Sequence, residues 1–100
     1  GDYEQLYKIK RIIVKPGERL SLQSHKMRDE NWTCVSGVMT VEHEGLSESL
    51  RPGMHVFIPS GARHRMANDT EFPAVLVEVQ TGEYLGEDDI QRFEDDYDRL

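Results

Sequence analysis

One hundred residues, 37% of them hydrophobic and 31% charged, make one domain with a modest core and argue against disorder. Nineteen acids against twelve bases leave a net charge of −7, which argues against a generic nucleic-acid binder. There is no apolar run long enough to span a membrane, and Cys34 is the only cysteine, so neither an internal disulfide nor a cysteine-rich zinc site can form. A reducing, cytoplasmic setting is the expected one.

In chain order the sequence reads as strands separated by turns. Tyr7–Val14 stops at Pro16-Gly17, and Arg19–Gln23 follows. Asn31–Ser36 ends at Gly37, and Val38–His43 at Glu44-Gly45. Leu46–Arg51, with Glu48 between two leucines, precedes Pro52-Gly53, and Met54–Ile58 runs into Pro59-Ser60-Gly61. Arg63–Ala67 and the apolar Ala74–Gln80 complete eight short strands, the pattern of an all-β sandwich or small barrel. Residues 83–100 carry eight acids and two bases, whereas residues 1–82 are nearly neutral. Ile90, Phe93 and Tyr97 recur at helical spacing, so the acidic tail is expected to be a solvated segment with a short helix docked by one stripe.

Two clusters carry chemistry. Gln23 and His25 are two apart and share a strand face, Glu30 follows a loop, and His64 follows a tight turn. If they converge, two imidazoles, a carboxylate and an amide oxygen suit one divalent ion, with Zn, Mn, Fe, Co and Ni all open. Glu78 interrupts an apolar strand, and on the buried side it would be a carboxyl tuned toward neutrality and able to act as a base. Gln80 shares its face. Arg28 is the leading residue for stabilising substrate charge; Arg19, which shares strand parity with Gln23 and His25, and Lys26, at the loop entrance, are secondary candidates, and Trp32 is an apolar wall beside Glu30. Arg63 and Arg65 flank His64 and point away from it by alternation. Tyr84 either closes the mouth or anchors the tail. His43, His55 and Cys34 read as structural.

The spacings Gly17-x5-Gln23-x-His25-x4-Glu30-x6-Gly37 and Gly53-x5-Pro59-x-Gly61-x2-His64-x3-Asn68 resemble the two cupin motifs, with Gln23 in place of the usual first histidine. Tyr7–Ile12, Val14–Gln23, Glu78–Gly82, Tyr84–Ile90, Arg92 and Glu94–Tyr97 further resemble the type II phosphomannose isomerase domain, of whose first segment Gly1-Asp2-Tyr3 retains a trace. The resemblance implies a small double-stranded β-helix over residues 1–100, with the barrel at about 7–82 and the tail at 83–100. It also implies a Gln-His-Glu-His metal site and a metal-dependent isomerase interconverting mannose 6-phosphate and fructose 6-phosphate through an enediol(ate). In that family the domain is usually the C-terminal part of a bifunctional enzyme whose other part is a mannose-1-phosphate guanylyltransferase. The histidines that usually neighbour His25 are replaced here, by Ser24 and Lys26 among others. A non-catalytic module binding a sugar or small anion is the alternative; an oxygenase-type cupin finds no support in the tail or strand motifs. A small-molecule sugar phosphate is the expected partner, with no nucleic acid and no membrane, and a homodimer is expected because small cupins often pair.

Overall fold

Residues 6–94 are described by a computed structural model, and the chain there forms nine strands and no helix. They are β1 (Leu6–Val14), β2 (Leu22–Ser24), β3 (Arg28–Ser36), β4 (Met39–His43), β5 (Leu46–Leu50), β6 (His55–Ile58), β7 (His64–Ala67), β8 (Ala74–Gly82) and β9 (Gln91–Glu94). Two antiparallel sheets face each other, one ordered β1-β8-β3-β6 and the other β5-β4-β7-β2-β9. This is the all-β sandwich expected from the strand and turn pattern, in the double-stranded β-helix arrangement that the resemblance implies. Among the described residues no helix is long and apolar enough to cross a membrane.

Inward positions alternate along the strands, as the pleat requires. Val14, Trp32, Cys34, Met39, Val41, Leu50, Ile58, Ala74 and Leu76 are buried in one core between the sheets. Cys34 is in that core, as expected of a small apolar residue.

The two motifs meet in space through backbone hydrogen bonds. Gly17 N–H donates to Asn68 O (2.8 Å), Asn68 N–H to Glu18 O (2.9 Å), and Gly61 N–H to His25 O (2.7 Å). Gly37 has φ of +74°, and a Cβ there would strike the Pro73 carbonyl, so the turn requires glycine. Gly82 meets a different need: a side chain would collide with the Met27 carbonyl, where β3 and β8 begin to pair.

Two expectations are corrected. Arg19–Gln23 is not one strand; Arg19 makes an isolated bridge to Ala67, and β2 begins at Leu22 with a register shift beside Gln23. Nor do residues 90–94 start a helix. Gln91–Glu94 pairs with β2, satisfying backbone groups that would otherwise line an open sheet edge. Tyr97 and Gly1-Asp2-Tyr3 lie outside the described residues.

Candidate metal centre

One end of the barrel interior is a cavity of about 200 Å³ lined by Gln23, His25, Arg28, Glu30, Trp32, His64 and Glu78. Lys10, Glu87, Ile90 and Arg92 also line it. β3 presents Arg28, Glu30 and Trp32 on its inner face, β8 presents Glu78, and β7 presents His64. Gln23 is opposite His64 in the β2–β7 register and so shares its face.

His25, Glu30 and His64 offer three ligand atoms within 4.8 Å of one another, all from buried side chains. His25 Nε2 is 3.2 Å from Glu30 Oε2, and His64 Nε2 is 4.0 Å from Glu30 Oε1. Each imidazole is oriented through its other nitrogen. His25 Nδ1–H donates to Asp89 O (2.6 Å) and His64 Nδ1–H to Ala62 O (3.0 Å). A carbonyl can only accept, so the proton sits on Nδ1 and the lone pair on Nε2 of each neutral ring. Burial lowers the pKa of both histidines and favours that neutral form. Two Nε2 lone pairs and a carboxylate thus converge in a buried space, a donor set that a divalent cation fits.

The carboxyls divide one proton unequally. Burial pushes the Glu78 carboxyl up, and the neighbouring Glu30 carboxylate pushes it further, to about 7. Burial would also raise Glu30, but His64, the hydrogen bond with Glu78, His25 and Trp32 together hold it below its ordinary value. Glu30 therefore remains the anionic partner while Glu78 keeps the proton between them. Trp32 Nε1–H donates to Glu30 Oε1 (2.8 Å), and Arg28 Nε–H to Glu30 Oε2 (2.8 Å). Arg28 Nη2–H donates to His25 Nε2 (3.0 Å), while Nη1 is buried with no hydrogen-bond partner.

The other residues singled out in the sequence separate. Trp32 both packs in the core and bonds Glu30. Gln80 is fully buried behind Glu78, donating from Nε2 to its Oε2 (2.6 Å), and is absent from the cavity wall. Arg19 is exposed and away from the cavity, because the β2 irregularity breaks the parity that linked it to Gln23. Lys26 lines two neighbouring surface grooves instead. Arg65 is buried and donates to Leu20 O (2.9 Å), and Arg63 lies 3.8 Å over the Phe93 ring; neither lines the cavity. His43 and His55 are outside the His25, Glu30 and His64 cluster. Tyr84 donates to Asp88 Oδ1 (2.5 Å) and does not line the cavity.

Sequence reasoning passed over Lys10, Glu87, Asp89 and Arg92. Lys10 Nζ pairs with Glu87 Oε1 at 2.5 Å on the cavity wall, and Lys8 Nζ donates to Leu85 O (3.0 Å). The basic positions inside Tyr7–Val14 were the available signal for Lys10. Asp89 acts on His25 through its main chain, which leaves no side-chain signature.

The family model for the C-terminal domain of mannose-6-phosphate isomerase matches residues 2–95. The xanthan biosynthesis protein XanB of Xanthomonas campestris is 48% identical over 98 residues, covering 98% of this chain and 21% of that protein. A mannose-1-phosphate guanylyltransferase of Escherichia coli is 45% identical over 105 residues, covering all of this chain and 22% of the relative. A double-stranded β-helix protein from Klebsiella pneumoniae superposes with a TM-score of 0.77 at 20% identity, over 88% of this chain and 75% of that one. The chain spans about a fifth of the length of the curated relatives it matches.

These names correct one expectation. The resemblance implied interconversion of mannose 6-phosphate and fructose 6-phosphate, with a non-catalytic binding module as alternative. The relatives are named for guanylyl transfer to mannose 1-phosphate and for polysaccharide biosynthesis, not for that isomerisation. The assignment of the isomerisation to this chain therefore does not stand.

Proposed function

Since the chain belongs to the family of mannose-6-phosphate isomerase C-terminal domains, we propose that it holds a divalent cation in the barrel and gathers an anionic, hydroxylated ligand of the sugar-phosphate class beside it. One observation carries the reading: Nε2 of His25, Nε2 of His64 and the Glu30 carboxylate converge with both Nδ1 protons already committed. Gln23, opposite His64, adds a neutral oxygen donor. When bound, the cation supplies Lewis-acid polarisation of a ligand oxygen.

The chain's own groups do the rest. With the proton on Glu78, Lys10, Arg28 and Arg92 outnumber Glu30 and Glu87 on the cavity wall by one formal charge. Adding a divalent cation enlarges that excess of positive charge, which an anion relieves. Arg28 Nη1, buried and without a partner, is a donor held open for it. Glu78, bonded to Gln80 and Glu30, is the group placed to give or take a proton at the ligand.

The test is calorimetric titration of chelator-stripped protein with Mn, Co and Zn, then of the loaded protein with phosphorylated and unphosphorylated hexoses. One equivalent of metal should bind, and His64→Ala should lose it. Hexose phosphate should bind the loaded protein only. Folded protein that takes up no metal, or a ligand isotherm unchanged by chelator, would overturn the reading.

A further inference from the structure

The two metal-facing histidines are oriented by unlike means. His64 is held by Ala62, two residues away in its own turn. His25 is held by Asp89, 64 residues further along the chain. Asp89 also accepts at both carboxylate oxygens, Oδ1 from Lys26 N–H (2.9 Å) and Oδ2 from Met27 N–H (2.9 Å). One residue thus grips three consecutive residues of the β2–β3 loop. Such carboxylate–amide bonds are stronger than neutral ones.

The geometry points to Asp89 as a positioning residue for the metal centre: its carboxylate clamps the loop, and the clamp aligns its own carbonyl with His25 Nδ1. This rests on the metal reading above. Asp89 is only half-buried, so packing alone does not set where its carbonyl lies. The neighbouring chain is tied down from the other side. Lys8 bonds Leu85 O, Lys10 pairs with Glu87, and Asp89 N–H donates to Gly86 O (3.2 Å). Residues 85–89 thus form a strap from β1 across to the His25 loop. Without the clamp the strap has no bond to that loop's amides; the Arg28 Nη2 bond at Nε2 then remains on the His25 ring, and Glu30 Oε2, 3.2 Å from Nε2, competes for the ring proton. Partners behind a ligating histidine commonly change metal affinity about 10–100-fold.

The experiment compares wild type, Asp89→Ala and Asp89→Asn. Asn keeps one acceptor oxygen and loses the other. Side-chain 15N spectra of the metal-free proteins report the tautomer of each histidine, and cobalt titration reports affinity. In wild type both rings should carry the proton on Nδ1. Asp89→Ala should shift His25 toward a tautomer mixture, leave His64 unmoved, and weaken cobalt binding about 10–100-fold; Asp89→Asn should fall between. His64 is the internal control, since general loosening would disturb both rings. Unmoved His25 signals with cobalt affinity equal to wild type would overturn the assignment, and Asp89→Asn decides it should Asp89→Ala fail to fold. Wild type that binds no cobalt overturns the metal reading instead, while the tautomer spectra still decide the role of Asp89.

Discussion

The two ends of the barrel interior differ although the same strands build both. On β8 the inward positions run Ala74, Leu76, then Glu78, Gln80; on β3, from the same end, they run Cys34, Trp32, then Glu30, Arg28. β1 changes at the same level, from Val14 and Ile12 to Lys10 and Lys8, because Ile12 is opposite Leu76 and Lys10 opposite Glu78. One end is a packed apolar core; the other is a cavity of charged and hydrogen-bonding groups. The contrast teaches a division of labour. Burial at the apolar end carries the stability, and that lets the polar end keep a convergence of lone pairs and a paired carboxyl that a domain optimised for stability alone would avoid.

That division can be broken from either side. Leu76→Ala removes a fully buried side chain from the apolar end and should cost about 2–5 kcal/mol in denaturant unfolding, the largest effect expected. Below its unfolding midpoint the variant should still bind metal; lost metal binding in folded protein would show the two ends to be coupled. His64→Ala should do the reverse. Metal affinity, read by calorimetry, should fall at least as far as the roughly 100-fold seen when outer partners are removed. The stability of the chelator-treated protein should change far less than in Leu76→Ala, while added metal should raise the melting temperature of wild type but not of His64→Ala. Asn68 closes the apolar end: Nδ2 donates to Val14 O (2.9 Å) and Phe72 O (2.7 Å), and Oδ1 accepts from Thr70 N–H (2.9 Å). Asn68→Asp keeps the size and loses the donors, so it should cost about 1–3 kcal/mol in unfolding with metal affinity retained.

The same contrast explains what could be read in advance. The apolar end was legible in β3, β4 and β8, where burial follows alternation and glycine turns mark the ends. The His25, Glu30 and His64 cluster was legible because two motif spacings placed those residues together. β1 misleads, since its apolar Tyr7, Ile9 and Ile13 face outward while Lys8 and Lys10 face inward. Alternation gives the period of a strand but not which side is the cavity side. Arg19 was placed by strand parity, and a register shift is invisible to parity. Ile90 and Phe93 fit a helical stripe equally well; the strand state of Gln91–Glu94 is decided by the β2 edge, a tertiary partner. The Asp89 carbonyl bond to His25 belongs to the main chain, and no motif spacing marks a main-chain acceptor 64 residues away.

The smallest effect is expected at the rim of the polar end. The Lys10–Glu87 pair is close, but the two side chains are 34% and 64% exposed, so water and salt screen it. Lys10→Met should therefore change unfolding stability by less than about 1 kcal/mol. Its charge still belongs to the cavity wall, where it favours an anionic ligand. Hexose phosphate affinity of the metal-loaded variant should fall by about tenfold at most, and the difference from wild type should shrink as salt is raised. A variant that instead lost stability and kept its ligand affinity would place Lys10 with the packing end of the barrel, and the boundary between the two ends would have to be drawn closer to the mouth.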